Sequence, residues 1–195
     1  TKRSGNDVVV VVSAMSGETN RLLDLVGNLS KDPSARECDL VVATGEQVSV
    51  GLVAMAINDL GEKAMPMMSF QVPIMTDASH GNAHIRNIDP QNIKRRIKEG
   101  NIIVIPGFQG VDADGNITTL GRGGSDTSAV AVAAALKADL CEIYTDVDGI
   151  NTTDPNVYPA AKKLKEISSE ELLEMAGAGA KVVHLRAVLD RKSVV

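Results

Sequence analysis

The chain has 195 residues, 44% hydrophobic and 23% charged, which is enough for one sizeable core beneath a hydrated surface. A net charge of -5, two Phe, two Tyr and no Trp argue against a nucleic-acid partner, which needs a basic face and stacking rings. No run of about 20 apolar residues suggests a membrane span, and the opening TKRSGNDVVVVV has no signal-peptide pattern, so the expectation is a cytoplasmic protein with no membrane partner.

In chain order, residues 8–12 form a β-branched run without alternation, the pattern of a strand buried on both faces. Residues 18–29 follow with Leu22, Leu25, Val26 and Leu29 at helical spacing. A long helix is predicted over 37–60, stopped by Gly61, with Thr44, Gly45, Glu46 and Gln47 as a polar break inside it. Short strands are predicted at 64–70, 72–75, 102–106 and 142–145. Helices are predicted at 90–98, 127–137 and 169–176.

Between Gln109 and Thr118 an Asp-Gly pair predicts a hairpin tip. The same stretch begins like a calcium loop but has Ile117 and Gly123 where that loop needs Gly and Glu. Cys38 and Cys141 lie far apart and are read as two buried reduced thiols. Strand–helix alternation with Val/Ile strands predicts an α/β fold, a three-layer αβα sandwich around a mainly parallel sheet, in one domain. The chain opens on a core strand and closes without a stop signal, so it is expected to be part of a longer protein, incomplete at both ends.

In open α/β sheets, ligands bind beyond the carboxyl ends of the strands. The densest candidate there is Gly121-Arg122-Gly123-Gly124-Ser125-Asp126, directly before a helix. Bare backbone amides at a helix start favour an anion, and Arg122 offers a planar fork for carboxylate or phosphate. Asp126 would repel a bare phosphate, so the pair suggests a zwitterion such as an amino acid. The competing account is a tight turn capped by Ser125 or Asp126.

Thr145-Asp146-Val147-Asp148-Gly149 after a strand fits a turn as well as a site. Glu46, on a helix that packs against the sheet, is either a half-buried carboxylate needing a partner or a surface residue. His80 and His84 have a metal spacing, but Gly81 places them in a loop, and no metal ligand set is expected. Lys181 follows two glycines and suits either phosphate contact or a solvated surface.

Five segments, VVVVSAMSGETNRLLDL, VVATGEQVSVGLVAMAINDLG, GFQGVDADGNITTLGRGGSDTSAVAVAAALKAD, YTDVDGINTTDP and LLEMAGAGAKVVHLRAV, stand in the order and spacing of aspartate kinases. The chain thus resembles the catalytic domain of that group within the amino acid kinase superfamily. The resemblance implies transfer of phosphate from Mg-ATP to the side-chain carboxylate of L-aspartate. The product would be 4-phospho-L-aspartate, on the way to lysine, threonine and methionine. It implies ATP and Mg2+ as cofactors and a homo-oligomeric parent protein.

By the family's pattern, Arg122 holds the aspartate α-carboxylate, and Glu46 and Asp126 meet its ammonium group or organise the site. Ser13 and Thr19 line the pocket with Gly123, Gly124 and Ser125. Thr145, Asp146, Asp148 and Gly149 face the nucleotide, with Asn151 and Asn156 beside it and Lys181 reaching ribose or phosphate.

Three departures stand out. The family's Lys-Phe-Gly-Gly-Thr-Ser segment has no counterpart before Val8. Asn151 and Asn156 stand where the family has Tyr and Arg. The last kinase strand and the regulatory domains have no counterpart after the final motif. Loss of one preorganised charge contact costs about 3–4 kcal/mol in a transition state, so the segment alone is expected to be weak or inactive. Two alternatives are a non-catalytic module that binds nucleotide or amino acid, and a kinase acting on another acid such as glutamate.

Overall fold

The computed structural model describes residues 1–145, 149–153 and 158–177. Its first sheet is parallel: β5 (Ile102–Pro106) runs between β1 (Val9–Val12) and β2 (Ala64–Pro66). Alternate side chains of a strand leave on opposite faces, and this sheet uses both. Val10, Val12 and Val104 pack against Val50 and Ala54 of helix α3 (Thr44–Asp59). Val9, Val11, Ile103 and Ile105 share the opposite cluster with Ile93 of α4 (Gln91–Lys98) and with Ala131 and Val132 of α5 (Gly124–Leu136).

The αβα layers expected from the sequence are therefore present. They are held by β5, which is buried throughout. Each of its fully buried isoleucines contributes about 1.5–3 kcal/mol of transfer free energy.

A second, mixed sheet has the order β4 (Ile85–Ile88), β3 (Ile74–Thr76), β6 (Gln109–Val111), β7 (Ile117–Thr119). β6 and β7 form the hairpin predicted on Asp-Gly. Asp112 closes it by accepting the amides of Asp114 at 3.0 Å and Asn116 at 2.8 Å. The Asn116 side-chain amide, also bonded to this carboxylate, holds it below its ordinary pKa.

Several expectations need correction. The single helix over 37–60 is two, α2 (Ala35–Val42) and α3, separated by a turn at Ala43. The strand over 64–70 ends at Pro66, because Met68 begins a turn whose carbonyl accepts the amides of Gln71 and Val72. Residues 142–145 form no strand: they are exposed and find no ladder partner among the described residues. β4 went unread, since IRNI has only two apolar residues and gains its strand character from pairing with β3.

Both cysteines are free, as expected, but neither is buried: Cys38 is half-buried and Cys141 exposed. Taken together, Ala35–Asp59 is long and apolar enough to cross a bilayer, contrary to the sequence reading. One face of it packs on the first sheet, and it carries the buried carboxylates Asp39 and Glu46. Helices α1 (Glu18–Leu29) and α6 (Ser169–Gly177) fall where predicted.

Candidate active site

The carboxyl ends of β1 and β5 lie side by side, and the chain beyond each becomes cleft wall. Gly107 donates its amide to the Val12 carbonyl at 2.9 Å, and a Cβ on Gly107 would stand 2.9 Å from Ser125 Cα. The start of α5 is thereby pressed against the end of β5.

The glycines of the 121–126 loop serve distinct needs. Gly121 and Gly123 have φ of +77° and +72°, a region that L side chains rarely adopt. A Cβ on Gly124 would lie 2.8 Å from the Phe108 ring. Phe108 itself has φ 66°, a strained conformation that costs on the order of 1–3 kcal/mol and persists only where its surroundings impose it. Here its amide donates to Ser128 Oγ at 3.0 Å and its carbonyl accepts the Leu120 amide at 2.8 Å.

These pieces enclose a cleft of about 330 Å³, at the small end for a small-molecule site. The chain after β1 supplies Ser13 and Ala14, α1 supplies Thr19, and α3 supplies Glu46. Phe108 and the loop Gly121, Arg122, Gly123, Gly124, Ser125 and Asp126 complete the lining among the described residues. The first-turn amides of α5 carry the positive end of its dipole into this space. Arg122 is exposed and forms no ion pair among the described residues. Although Cys141 as a whole is exposed, the pKa of its thiol is raised, first by partial burial of the sulfur and then by the negative charge of Asp126.

Glu46 is the buried charge of the site, 3% exposed. Its Oε1 accepts the Ala14 amide at 3.1 Å, and its Oε2 has no partner among the described residues. Burial raises its pKa, and the Ala14 amide only partly offsets this. Gly45 makes the placement possible, since a Cβ there would come within 2.9 Å of the Ala14 methyl. A buried carboxylate with an open oxygen is costly by itself and suits a bound donor or cation.

All eight residues expected around the substrate, Ser13, Thr19, Glu46, Arg122, Gly123, Gly124, Ser125 and Asp126, thus line one cleft. The described nucleotide candidates do not. Thr145 is exposed, Gly149 packs on the Lys163 stem, and Asn151 pairs with Lys163 in an antiparallel bridge; none of the three lines the cleft. Asp146, Asp148, Asn156 and Lys181 lie outside the described residues.

His80 and His84 face different carboxylates, Asp39 at 2.8 Å and Asp77 at 3.2 Å. Two participants were not read from sequence. Phe108 carried a signal in its place directly after a strand and a glycine. The fully buried Gln109 carried none: its Nε2 donates to the Ala43 carbonyl at 2.9 Å, pinning the α2–α3 turn to β6.

Residues 1–189 match the amino acid kinase family. An aspartate kinase of Stutzerimonas stutzeri is 59% identical over 184 residues, covering 94% of this chain and 45% of that protein. The crystal structure of an aspartate kinase from Synechocystis superposes with a TM-score of 0.83 at 47% identity, covering 96% of this chain and 31% of that one. Aspartokinase III of E. coli, in complex with aspartate and ADP, superposes with a TM-score of 0.81 at 29% identity, covering 95% of this chain and 53% of that one. The chain spans less than half the length of the curated relative from Stutzerimonas.

Proposed function

The chain belongs to the amino acid kinase family, and on that footing we propose that the full-length protein is a cytoplasmic aspartate kinase. It transfers the γ-phosphoryl group of Mg-ATP to the side-chain carboxylate of L-aspartate. The observation that carries this reading is the meeting, in one small cleft, of a buried carboxylate oxygen on Glu46 and a guanidinium on Arg122, neither with a charged partner among the described residues. An α-amino acid presents the complementary charges: its ammonium group satisfies Glu46, and its α-carboxylate takes the fork of Arg122. The names of the relatives, and the aspartate and ADP held by the E. coli enzyme, support aspartate as the acid.

With both α-groups held, the side-chain carboxylate is left free to face the amides at the start of α5. One of its oxygens bonds to the γ-phosphorus as the bond to the β–γ bridging oxygen breaks, and ADP leaves. Such transfer draws its rate from positioning and charge neutralisation. The helix dipole at the start of α5 would supply part of the second.

Mg2+ fits as a companion of the phosphates. No group of three or more His, Cys, Asp or Glu that could cage a metal occurs among the described residues, and Mg2+ commonly binds through one or two carboxylates plus phosphate oxygens. Asp126 is the described carboxylate at the helix start that would serve, and the ion would neutralise phosphate charge. A cleft of about 330 Å³ takes the amino acid and the end of a polyphosphate, so the base and ribose would lie outside it.

We further propose that the product feeds lysine, threonine and methionine synthesis. Exposed Leu52 and Met55 on α3 support a homo-oligomer, checked by light scattering. The decisive test supplies the full-length protein with Mg-ATP and either aspartate or glutamate, and traps acyl phosphate with hydroxylamine. Hydroxamate formed with aspartate alone is the expected result. Product with glutamate alone moves the acceptor, and none with either, from a folded protein that binds ADP, leaves a binding module.

A further inference from the structure

Outside the described lining of the cleft lies a buried carboxylate that the proposed chemistry does not touch. Asp39 of α2 is 2% exposed. Its Oδ1 accepts the Thr119 hydroxyl at 2.5 Å, and its Oδ2 accepts the Thr119 amide at 3.1 Å. The Gly81 amide lies 3.0 Å from both oxygens, and His80 Nδ1 lies 2.8 Å from Oδ2. His80 Nε2 in turn faces Asp112 Oδ2 of the hairpin tip at 3.9 Å.

The bonded groups lead to the active-site loop from two sides. Thr119 ends β7 and is followed by Leu120 and Gly121. Gly81 and Asn82 form the surface against which Gly121 packs, with a Cβ at Gly121 falling 3.1 Å from the Gly81 carbonyl and the Asn82 side chain. On the other side, α2 passes through Ala43 into α3, which carries Glu46.

We propose that Asp39 is a positioning residue: by tying α2 to Thr119 and Gly81, it sets where Arg122 stands relative to Glu46. The inference rests on the amino acid-binding reading of the cleft. Glu46 and Arg122 sit on different elements. A ligand with two charges a fixed distance apart binds well only if those elements hold register. Four donors on one buried carboxylate form a network whose loss is felt as a unit, and a shift of about 1 Å at a site can cost on the order of a hundredfold in rate.

The test uses the full-length protein with Asp39→Asn, Thr119→Val and Thr119→Ser. Hydrogen exchange of amides 119–124 is read beside that of β5, and the aspartate KM beside ADP affinity by calorimetry. Asp39→Asn and Thr119→Val are expected to raise both loop exchange and aspartate KM by about tenfold. ADP affinity and β5 exchange should stay level, kcat should change less than KM, and Thr119→Ser should track the wild type. Unchanged loop exchange in both variants overturns the proposal. So does loss of β5 protection and ADP affinity in step with the loop, which marks general destabilisation. If the wild type turns over no aspartate, the proposed function fails, and the exchange data alone decide whether Asp39 positions the loop.

Discussion

Glu46 Oε1 accepts the Ala14 amide at 3.1 Å, while Oε2 of the same buried carboxylate has no partner among the described residues. The start of α3 is thus anchored to the end of β1 by one oxygen, leaving the other for a ligand. Glu46→Gln keeps the shape and an acceptor for Ala14 but removes the charge. The aspartate KM should rise about 10- to 100-fold, the loss of a charge-assisted bond worth about 1.5–3 kcal/mol. Initial-rate kinetics check this, and an unchanged KM would remove Glu46 from the ammonium site.

The same carboxyl makes a prediction about stability. Burial raises its pKa above the ordinary 4.5, so ionising it costs the fold. That cost is absent below the unfolded pKa and complete above the folded one. Relative to wild type, Glu46→Gln should therefore gain thermal stability as the pH rises from about 4 towards neutrality. Melting curves across that range decide the matter; a pH-independent difference would contradict it.

Arg122 offers a planar fork, which an ammonium cannot reproduce. Arg122→Lys should keep part of the aspartate affinity, and Arg122→Ala should lose about 2–4 kcal/mol of transition-state binding, or roughly 30- to 1000-fold in kcat/KM. Equal losses in the two variants would mean that only charge matters there.

Gly107 tests the join between β5 and α5. A Cβ there meets Ser125 Cα at 2.9 Å, a backbone atom that can move only with its helix. Gly107→Ala should cost about 1–3 kcal/mol in urea unfolding and raise the aspartate KM, because the displaced turn carries Ser125 and Asp126. An unaltered midpoint would show that the helix start yields freely.

Asp77 tests the loop that carries His80 and Gly81. Burial works against its charge. The His84 and Ser79 amides, at 3.1 and 3.2 Å, prevail and hold its pKa down to about 2, with help from the Ser79 hydroxyl and the nearby His84 ring. A depressed carboxyl pKa stabilises the fold above the unfolded value of 3.8, and the benefit disappears as the pH falls through about 2. Asp77→Asn should therefore cost on the order of 1 kcal/mol at neutral pH, discounted for the water that reaches this carboxylate. The gap to wild type should narrow as the pH drops from about 4 to about 2, and a gap that persists there would refute the assignment.

The glycine loop of the cleft was legible because its signals are local, whereas Ser13, Thr19 and Glu46 were placed around the substrate only by the resemblance to aspartate kinases. Glycines at 121 and 123 announce positive φ, a small residue at 45 permits close approach, and a polar loop before an apolar helix marks a helix start at a sheet edge. Phe108 and Asp39 gave weaker signals. An aromatic residue in a left-handed conformation is imposed by Ser128 and Leu120 from elsewhere in the chain. An aspartate in an amphipathic helix reads as exposed until Thr119, eighty positions away, takes it as a partner. The same holds for β4 and for residues 142–145: strand character belongs to a ladder, and β4 finds its partner in β3, whereas 142–145 find none among the described residues.

The sequence by itself determined the layered α/β fold, through continuous apolar strands that need cover on both faces, and the 121–126 wall of the cleft, through glycines that only a closely approached backbone requires. Tertiary structure alone decided the electrostatics. Whether Glu46 is buried, which of its oxygens is bound, and which carboxylate ties α2 to the 121–126 loop all depend on groups far apart in the chain. Desolvation and hydrogen bonding act through space, so these properties exist only once β1, α2, α3 and β7 have been brought together.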